Sequence, residues 1–273
     1  MQSTLMTWCD LVREHSHTAT KFTRLGGEPM SGTAIGTITD DDLRERYAYP
    51  VSMTRPWLRL NFVSSIDGAA TVDGVSGGLG TPADKRVFGV LRELADVVLV
   101  GAGTARAEDY GGARVDEAQR ERRLARGLAA VPPIAVLTRS ARLDPESRLF
   151  NDTAVAPIVL TTSAAPVAPL RRAGAQIVAV EGELTSAAIL AALADLGLLR
   201  VLCEGGPSLS GQFIGDDVVD ELCLTTSPVL VAGGDTRIAR SASAVKVAMT
   251  RGHVLLDDDG TVLTRWVRAR PPT

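Results

Sequence analysis

Aromatic residues, histidines and paired cysteines are scarce in this sequence, and each scarcity excludes a class of function. Only 4% of the 273 residues are aromatic, which leaves few side chains for stacking the bases of single-stranded nucleic acid. The three cysteines, Cys9, Cys203 and Cys223, form no C-x-x-C pair. We therefore expect neither a disulfide framework nor a cysteine-based zinc site, and the scattered histidines predict no other metal site.

A strong charge of one sign and long apolar runs are also lacking. The formal net charge is -3, which gives no general attraction to nucleic acid or to an anionic membrane. No apolar run approaches the roughly 18 residues of a membrane span, and the N-terminus has no signal-peptide pattern. We expect a cytoplasmic protein that binds a small molecule and has neither nucleic-acid nor membrane partners.

The middle of the chain alternates short apolar runs with helical patterns. Segment 57–63 alternates like a strand, and Thr81 with the following proline marks a helix start. The runs at 97–100, 134–137 and 157–160 are continuous, which is typical of parallel strands buried on both faces. Strands that alternate with helices predict a mainly parallel sheet covered by helices on both faces.

The last third of the chain predicts strands without intervening helices. Segments 220–226 and 229–231 have strand-like apolar patterns, and 254–256 with 261–267 flank a turn of three aspartates and a glycine. The predicted fold class is α/β, a single-domain three-layer sandwich. Its mixed sheet is mainly parallel, with antiparallel strands at the C-terminal edge.

Residues 1–50 differ in composition from the remainder. They are rich in threonine, glycine, aspartate and arginine, and only 40–47 suggests a short helix, with Thr39 as its cap. We predict that residues 1–50 form a partly flexible N-terminal extension and that residues 51–273 form one domain.

A glycine corner is the strongest candidate for a ligand site. The apolar run from Val201 breaks into Glu204-Gly205-Gly206-Pro207-Ser208, and the proline suits the first position of a helix. A strand that turns through glycines into a helix exposes backbone N–H groups where phosphates bind. The alternative is a tight connection without a ligand, and the corner alone does not decide between them.

Other glycine and hydroxyl clusters follow neighbouring predicted strands and should meet the corner at the carboxyl edge of the sheet. They are Gly101-Ala102-Gly103-Thr104, Thr138-Arg139-Ser140 and Thr161-Thr162-Ser163. Two glycine turns suit a pyrophosphate, and Arg139 with nearby hydroxyls suits a ribose or its 2′-phosphate. The usual G-x-G-x-x-G pattern is absent, because Arg106 occupies the third glycine position. With no catalytic histidine or G-x-S-x-G elbow, this site favours hydride transfer by a bound dinucleotide.

Four motifs resemble the reductase domain of the riboflavin-biosynthesis deaminase/reductase proteins and occur in that family's order. They are Ser64-Ser65-Ile66-Asp67-Gly68, the segment from Leu91 to Thr104, Cys203 to Leu209, and Asp220-Glu221-Leu222 followed by Pro228 and Gly233. The resemblance spans about Leu58 to Gly234 and implies a dihydrofolate-reductase-like fold. The family reduces the ribosyl group of 5-amino-6-(5-phosphoribosylamino)uracil with NADPH, usually as a homodimer.

The resemblance, together with the strand-end argument, implies roles for individual residues. Glu204, or a water near it, would assist proton delivery, and Arg92 suits the phosphate of the substrate. The substrate-binding residues would be Asn61, Asp67, Arg92 and Glu204. The NADPH-binding residues would be Gly101, Gly103, Thr104, Glu108, Thr138, Arg139, Gly205, Gly206, Pro207, Ser208 and Leu209. From the residues alone, the alternative for Arg92 is a solvated helix residue that pairs with Glu93 or Asp96. Asp67 is equally a turn cap before Gly68.

The sequence departs from the family pattern in several places. Asn61 stands where the family commonly has lysine, 79–81 replaces a W-I-T loop, and Glu108-Asp109-Tyr110 replaces D-D-P. The zinc deaminase motifs H-x-E and P-C-x-x-C are absent from the sequence. Loss of one cationic contact weakens substrate binding by roughly 1.5–3 kcal/mol. Two alternatives therefore stay open: a dihydrofolate or pteridine reductase of the same fold, and a nucleotide-binding protein without turnover.

Overall fold

A computed structural model describes residues 33–233 and 237–269, which contain one ten-stranded sheet with helices on both faces. The strands are β1 (Thr33–Ala34), β2 (Trp57–Ser64), β3 (Val97–Gly101), β4 (Ile134–Leu137), β5 (Ile158–Thr162), β6 (Gln176–Val180), β7 (Arg200–Cys203), β8 (Glu221–Thr226), β9 (Met249–Leu256) and β10 (Val262–Arg268). The α-helices are α1 (Asp40–Arg46), α2 (Pro82–Leu94), α3 (Ala102–Ala107), α4 (Glu117–Ala125), α5 (Arg148–Asn151), α6 (Ala168–Arg172), α7 (Ser186–Asp195) and α8 (Pro207–Gly215).

The strand order is β1-β9-β10-β8-β2-β7-β3-β4-β5-β6. Every pair from β8 across to β6 is parallel, whereas β10 is antiparallel to both β8 and β9. The predicted α/β class, with a mainly parallel mixed sheet and antiparallel C-terminal strands, is confirmed. The edge strand beyond that hairpin is the short β1, which pairs parallel with β9.

The sheet separates two apolar layers, and β3 shows why. Val98 and Val100 pack on one face, in the layer that includes α2, while Val97 and Leu99 pack on the other, in the layer that includes α7 and α8. All four are fully buried, as a continuous apolar run in a parallel strand predicts. This packing fixes the carboxyl end of β3 beside those of β4 and β7.

The predicted helix starts are confirmed where a hydroxyl caps them. The Thr39 hydroxyl accepts a hydrogen bond from the backbone of Asp42 in a complete capping box, and the Thr81 hydroxyl accepts one from the backbone of Asp84. Such caps satisfy N–H groups that the helix itself leaves unpaired. The Thr81 cap matters for the site, because it sets where α2 enters the carboxyl edge of the sheet.

Two local predictions were wrong. Segment 229–231 is not a strand, because β8 is already paired on one side with β2 and on the other with β10. Gly101 to Thr104 is not a separate turn: β3 ends at Gly101, and α3 begins at the next residue. The hairpin prediction was correct in place, but β9 begins at Met249, earlier than its apolar pattern indicates.

Part of the predicted N-terminal extension packs onto the sheet unit. Thr33 and Ala34 pair with Leu255 and Leu256 of β9, and Leu43 of α1 is completely buried. Residues 1–32 lie outside the described residues, so the domain division stays a prediction. Within the part of the chain that the structure describes, no helix has the length and apolar character needed to span a membrane.

Candidate active site

A cleft of about 980 Å³ opens at the carboxyl ends of β2, β3, β4 and β7. This is the edge at which open α/β sheets bind ligands, and the volume suits a large ligand. Every predicted site residue except Asp67 lines the cleft. The lining members of that set are Asn61, Arg92, Gly101, Gly103, Thr104, Glu108, Thr138, Arg139, Glu204, Gly205, Gly206, Pro207, Ser208 and Leu209.

Asp67 and the Thr161-Thr162-Ser163 cluster do not line the cleft. The Asp67 Oδ1 atom accepts hydrogen bonds from Ser65 Oγ at 2.5 Å and from the backbone N of Val231 at 2.9 Å. The Ser65 hydrogen bond, with that of Val231, lowers the pKa of the Asp67 carboxyl. Asp67 thus caps a turn and ties it to the segment after β8. Thr161 is fully buried inside β5 and does not line the cleft.

The end of β3 at Gly101 and the glycine corner at Gly205 and Gly206 form one unit at the floor of the cleft. The backbone N of Gly101 donates to the carbonyl of Gly205 at 3.0 Å, and that of Glu204 donates to Leu99 at 2.9 Å. Gly206 has φ of 98°, and a Cβ there would lie 3.4 Å from the Cα of Gly101. The positive φ favours glycine at this position, and the two backbone segments lie in van der Waals contact. Helix α8 begins immediately after the corner, so its first-turn N–H groups lie at this edge.

Glu204 and Arg92 form a bidentate ion pair across the cleft. Arg92 donates from Nε to Glu204 Oε1 at 2.7 Å and from Nη2 to Oε2 at 2.6 Å. The guanidinium also lies 4.3 Å from the centre of the Phe88 ring, in a cation–π contact. Burial alone would lower the pKa of Arg92, but the Glu204 charge outweighs it and raises that pKa. The Glu204 side chain is only 2% exposed, so this pair is a desolvated, rigid feature.

Tyr110 completes this network and was missed as a site residue from the sequence. Its hydroxyl donates to Glu204 Oε2 at 2.9 Å. Burial, followed by the Glu204 charge, raises the pKa of Tyr110 well above its usual value, so the phenol stays protonated. The only signal in the sequence was the departure from D-D-P at 108–110, which does not by itself indicate a partner 94 residues away.

The backbone beneath Arg92 is anchored by a second arginine. Arg123 is fully buried and donates from Nη1 to the carbonyls of Arg92, Glu93 and Ala95 at 2.7–3.0 Å, which caps the C-terminal end of α2. Glu93 accepts instead from Arg44, Arg122 and Arg126. The alternative pairing of Arg92 with Glu93 or Asp96 is therefore wrong, and Arg92 is held toward the cleft.

The cleft is also lined by hydroxyl and guanidinium groups from the segments that follow β3 and β4. Glu108 Oε1 accepts from the backbone N of Ser76 at 2.7 Å and so ties the glycine-rich loop before α2 to this wall. Arg139 is exposed beside the buried Thr138, and within 33–233 and 237–269 its guanidinium makes no hydrogen bond or ion pair. A free guanidinium next to hydroxyl groups suits an anionic ligand group. Those same residues contain no cluster of three or more side chains able to hold a metal ion.

Comparison with known proteins identifies the family. A profile described as the RibD C-terminal domain matches residues 56–263. The chain belongs to this family. A relative from Methanothermobacter thermautotrophicus, named 2,5-diamino-6-ribosylamino-4(3H)-pyrimidinone 5′-phosphate reductase, is 31% identical over 75% of this chain and 95% of its own length. The Mycobacterium tuberculosis riboflavin biosynthesis protein RibD is 27% identical over 81% of this chain and 56% of its own, so the chain spans about half of that relative.

Solved structures agree with this membership. A pyrimidine reductase-like protein from Corynebacterium diphtheriae has a TM-score of 0.75 and 25% identity, over 86% of this chain and 100% of that one. The deaminase/reductase from Thermotoga maritima, with a TM-score of 0.62 and 22% identity over 79% of this chain and 57% of that one, shares the fold. The predicted reductase family, its dihydrofolate-reductase-like fold and the oxidoreductase class are confirmed. Reductases of this family use a nicotinamide cofactor.

Proposed function

We propose that this protein uses NADPH to reduce the ribosyl group of a 5-amino-6-ribosylaminopyrimidine 5′-phosphate to a ribityl group. The observation that supports this most directly is the Arg92–Glu204–Tyr110 network directly beside the glycine corner in one cleft. A fixed carboxylate next to an anion-binding corner places acid–base chemistry beside a phosphate-bearing ligand. The names of the relatives supply the class of substrate.

The described residues fit a nicotinamide dinucleotide. Gly206 and Gly101 leave a floor without side chains, and the first turn of α8 with Ser208 offers donors for a pyrophosphate. The free guanidinium of Arg139 suits the 2′-phosphate that distinguishes NADPH from NADH. The cofactor, when bound, supplies the hydride for the reduction.

The protein's own groups would orient the substrate and manage its protons. The ribosylamine opens to an imine, the hydride adds at its C1 carbon, and the nitrogen gains one proton. Both oxygens of Glu204 already accept hydrogen bonds, from Arg92 and Tyr110, so the carboxylate cannot rotate away. We place Glu204 beside the reacting C1–N bond, where a water bound to it would deliver the proton.

Consumption of NADPH tests this function and its alternatives. We expect consumption with a 5-amino-6-ribosylaminopyrimidine phosphate and none with dihydrofolate. Glu204→Gln should leave the Kd for NADPH within a factor of two or so and lower kcat by at least about tenfold, as expected for the loss of an acid–base group. Consumption with dihydrofolate alone would favour the pteridine alternative. Binding of NADPH without any consumption would favour a nucleotide-binding protein.

Arg139→Ala tests the cofactor preference separately. We expect its Kd for NADPH to rise by about tenfold, equivalent to one lost charge-assisted contact, while the Kd for NADH stays unchanged. Arg142→Ala is the matched control, because Arg142 follows on the same segment but does not line the cleft. An equal loss for both cofactors would place the 2′-phosphate elsewhere.

A further inference from the structure

Four carboxylates line the cleft, and three of them are already paired. Glu204 accepts from Arg92 and Tyr110, Glu108 accepts from the backbone of Ser76, and Asp109 pairs with Arg148 at 3.4 Å. Asp84 is the fourth, and it differs from the others. Within the described part of the chain it forms no ion pair and accepts no backbone hydrogen bond, and its one hydrogen-bond partner is the hydroxyl of Thr225.

The protein compensates only in part for the loss of water around the Asp84 carboxyl. It lies in the first turn of α2, half-buried, and burial raises its pKa although the Thr225 hydrogen bond and the charge of Lys85 lower it. A partly desolvated carboxylate with a single hydroxyl donor is incompletely satisfied, and a ligand that brings N–H groups reduces that penalty. Asp84 is therefore poised to accept hydrogen bonds from a ligand in the cleft.

Helix α2 presents a stripe of three cleft-lining side chains at intervals of four residues. Asp84, Phe88 and Arg92 share one face, and the Cα atoms of Asp84 and Arg92 lie about 12 Å apart along the helix axis, with Phe88 between them in sequence. A phosphate is repelled by Asp84, so the substrate's uncharged end is the one that approaches it. That end is the pyrimidine ring, and Phe88 offers the base an apolar neighbour.

The two bases named among the relatives differ in the groups that they offer a carboxylate. The 2,5-diaminopyrimidinone presents an N3–H and a 2-amino group side by side, two donors that match both oxygens of a carboxylate. The uracil has a carbonyl at the 2-position, whose oxygen repels a carboxylate. Resting on the reductase function proposed above, we infer that Asp84 binds the 2-amino and N3–H edge of the pyrimidine and makes this protein selective for the 2-amino substrate over its 2-oxo counterpart.

Competing activities of the two substrates test this selectivity. With NADPH in excess, kcat/KM is measured for the 2,5-diamino-6-ribosylamino-4(3H)-pyrimidinone phosphate and for the 5-amino-6-ribosylaminouracil phosphate. We expect the wild type to favour the 2-amino form by on the order of 100-fold, because the 2-oxo form leaves the carboxylate facing a carbonyl. Asp84→Asn, which offers one donor and one acceptor, should reduce that preference at least tenfold. Asp84→Ser serves as a second variant with the same expected direction.

Asp109→Asn is the matched control, because it neutralises another cleft carboxylate that already has a partner; its preference should equal that of the wild type. Thermal unfolding checks that each variant folds, and calorimetry with the 2-amino substrate and NADP⁺ measures binding without turnover. Equal activity of the wild type on both forms, or an unchanged preference in both Asp84 variants, would overturn the inference and leave the reductase function intact. Reduction of neither form would overturn the function, and the role of Asp84 with it.

Discussion

The hydroxyl of Tyr110 gives the sharpest test of how the network holds Glu204. Tyr110→Phe keeps the ring beside Arg92, whose guanidinium lies 5.9 Å from the ring centre, and removes only the donor to Glu204. A hydrogen bond to a charged group contributes roughly 1.5–3 kcal/mol. The lower end applies here, because Arg92 still donates to both carboxylate oxygens. We expect a loss of about 1.5 kcal/mol in the free energy of unfolding.

A loss of that size is measurable in two ways. It lowers the Tm by about 3–6 °C for a domain of this size, and denaturant titration gives the free energy directly. If the carboxylate must be fixed for proton delivery, kcat falls by about tenfold, while the Kd for NADPH is unchanged. A Phe variant with unchanged stability and unchanged kcat would refute the argument that this hydroxyl positions Glu204.

Tyr49 provides the matched control, since its hydroxyl is buried and has no hydrogen-bond partner among the described residues. Tyr49→Phe removes an unsatisfied polar group, so stability should stay equal or rise. The pH dependence adds a second check on Tyr110. Because its folded pKa is raised, its contribution is complete below the unfolded value of about 10 and declines above it. Above pH 10 the wild type should therefore lose stability relative to Tyr110→Phe.

Three further predictions concern Gly206 at the glycine corner, the buried carboxylate of Glu93 and the oligomeric state. Gly206→Ala should cost about 1–3 kcal/mol, measured by denaturant titration, because its φ is 98° and the added Cβ faces Gly101, whereas Gly103→Ala, with nothing within 4 Å, should fold normally. Glu93→Gln should cost about 3–5 kcal/mol, because it leaves three arginines around a fully buried position. Burial raises the pKa of the Glu93 carboxyl, but the hydrogen bonds from Arg122 and Arg44 outweigh burial and lower that pKa overall. The contribution of Glu93 to the free energy of unfolding is therefore lost as the pH falls below about 4.5. The stability of the Gln variant should lack this acid dependence. The homodimer that the family resemblance implies predicts twice the chain mass in light scattering, and a monomer at all concentrations would contradict it.

Local signals in the sequence were sufficient to locate the cleft. A continuous apolar run such as 97–100 indicates a strand buried on both faces without knowledge of its neighbours in the fold. A hydroxyl cap such as Thr81 likewise acts within one helical turn. Because parallel strands end at a common edge, the glycine corner and the segment after β3 had to meet. Their contact through Gly101 and Gly205 confirms that reasoning.

The partners of the charged residues could not be predicted in the same way. Arg92 has two acidic neighbours in sequence, yet it pairs with Glu204, 112 residues away, because strand packing brings the ends of α2 and β7 together. Tyr110 and Asp84 were missed as site residues for the same reason. Whether a side chain contributes a donor or an acceptor to a site depends on the partners that the fold brings next to it. The strand prediction for 229–231 failed for a different reason: β8, the strand just before it, is already paired on both sides, with β2 and β10.

The role of Arg92 can be decided by a substitution that keeps its charge. The sequence suggested that Arg92 binds the substrate phosphate, yet its Nε and Nη2 atoms already donate to Glu204. A lysine binds a phosphate as a point charge but cannot bridge both oxygens of a carboxylate. If Arg92 serves the phosphate, Arg92→Lys should keep KM and kcat within a few-fold of the wild type. If it serves Glu204, as the geometry favours, kcat should fall by about tenfold or more with little change in KM, and combining it with Glu204→Gln should add almost nothing. Additive losses in the double variant would indicate that Arg92 acts independently of Glu204 and binds the phosphate.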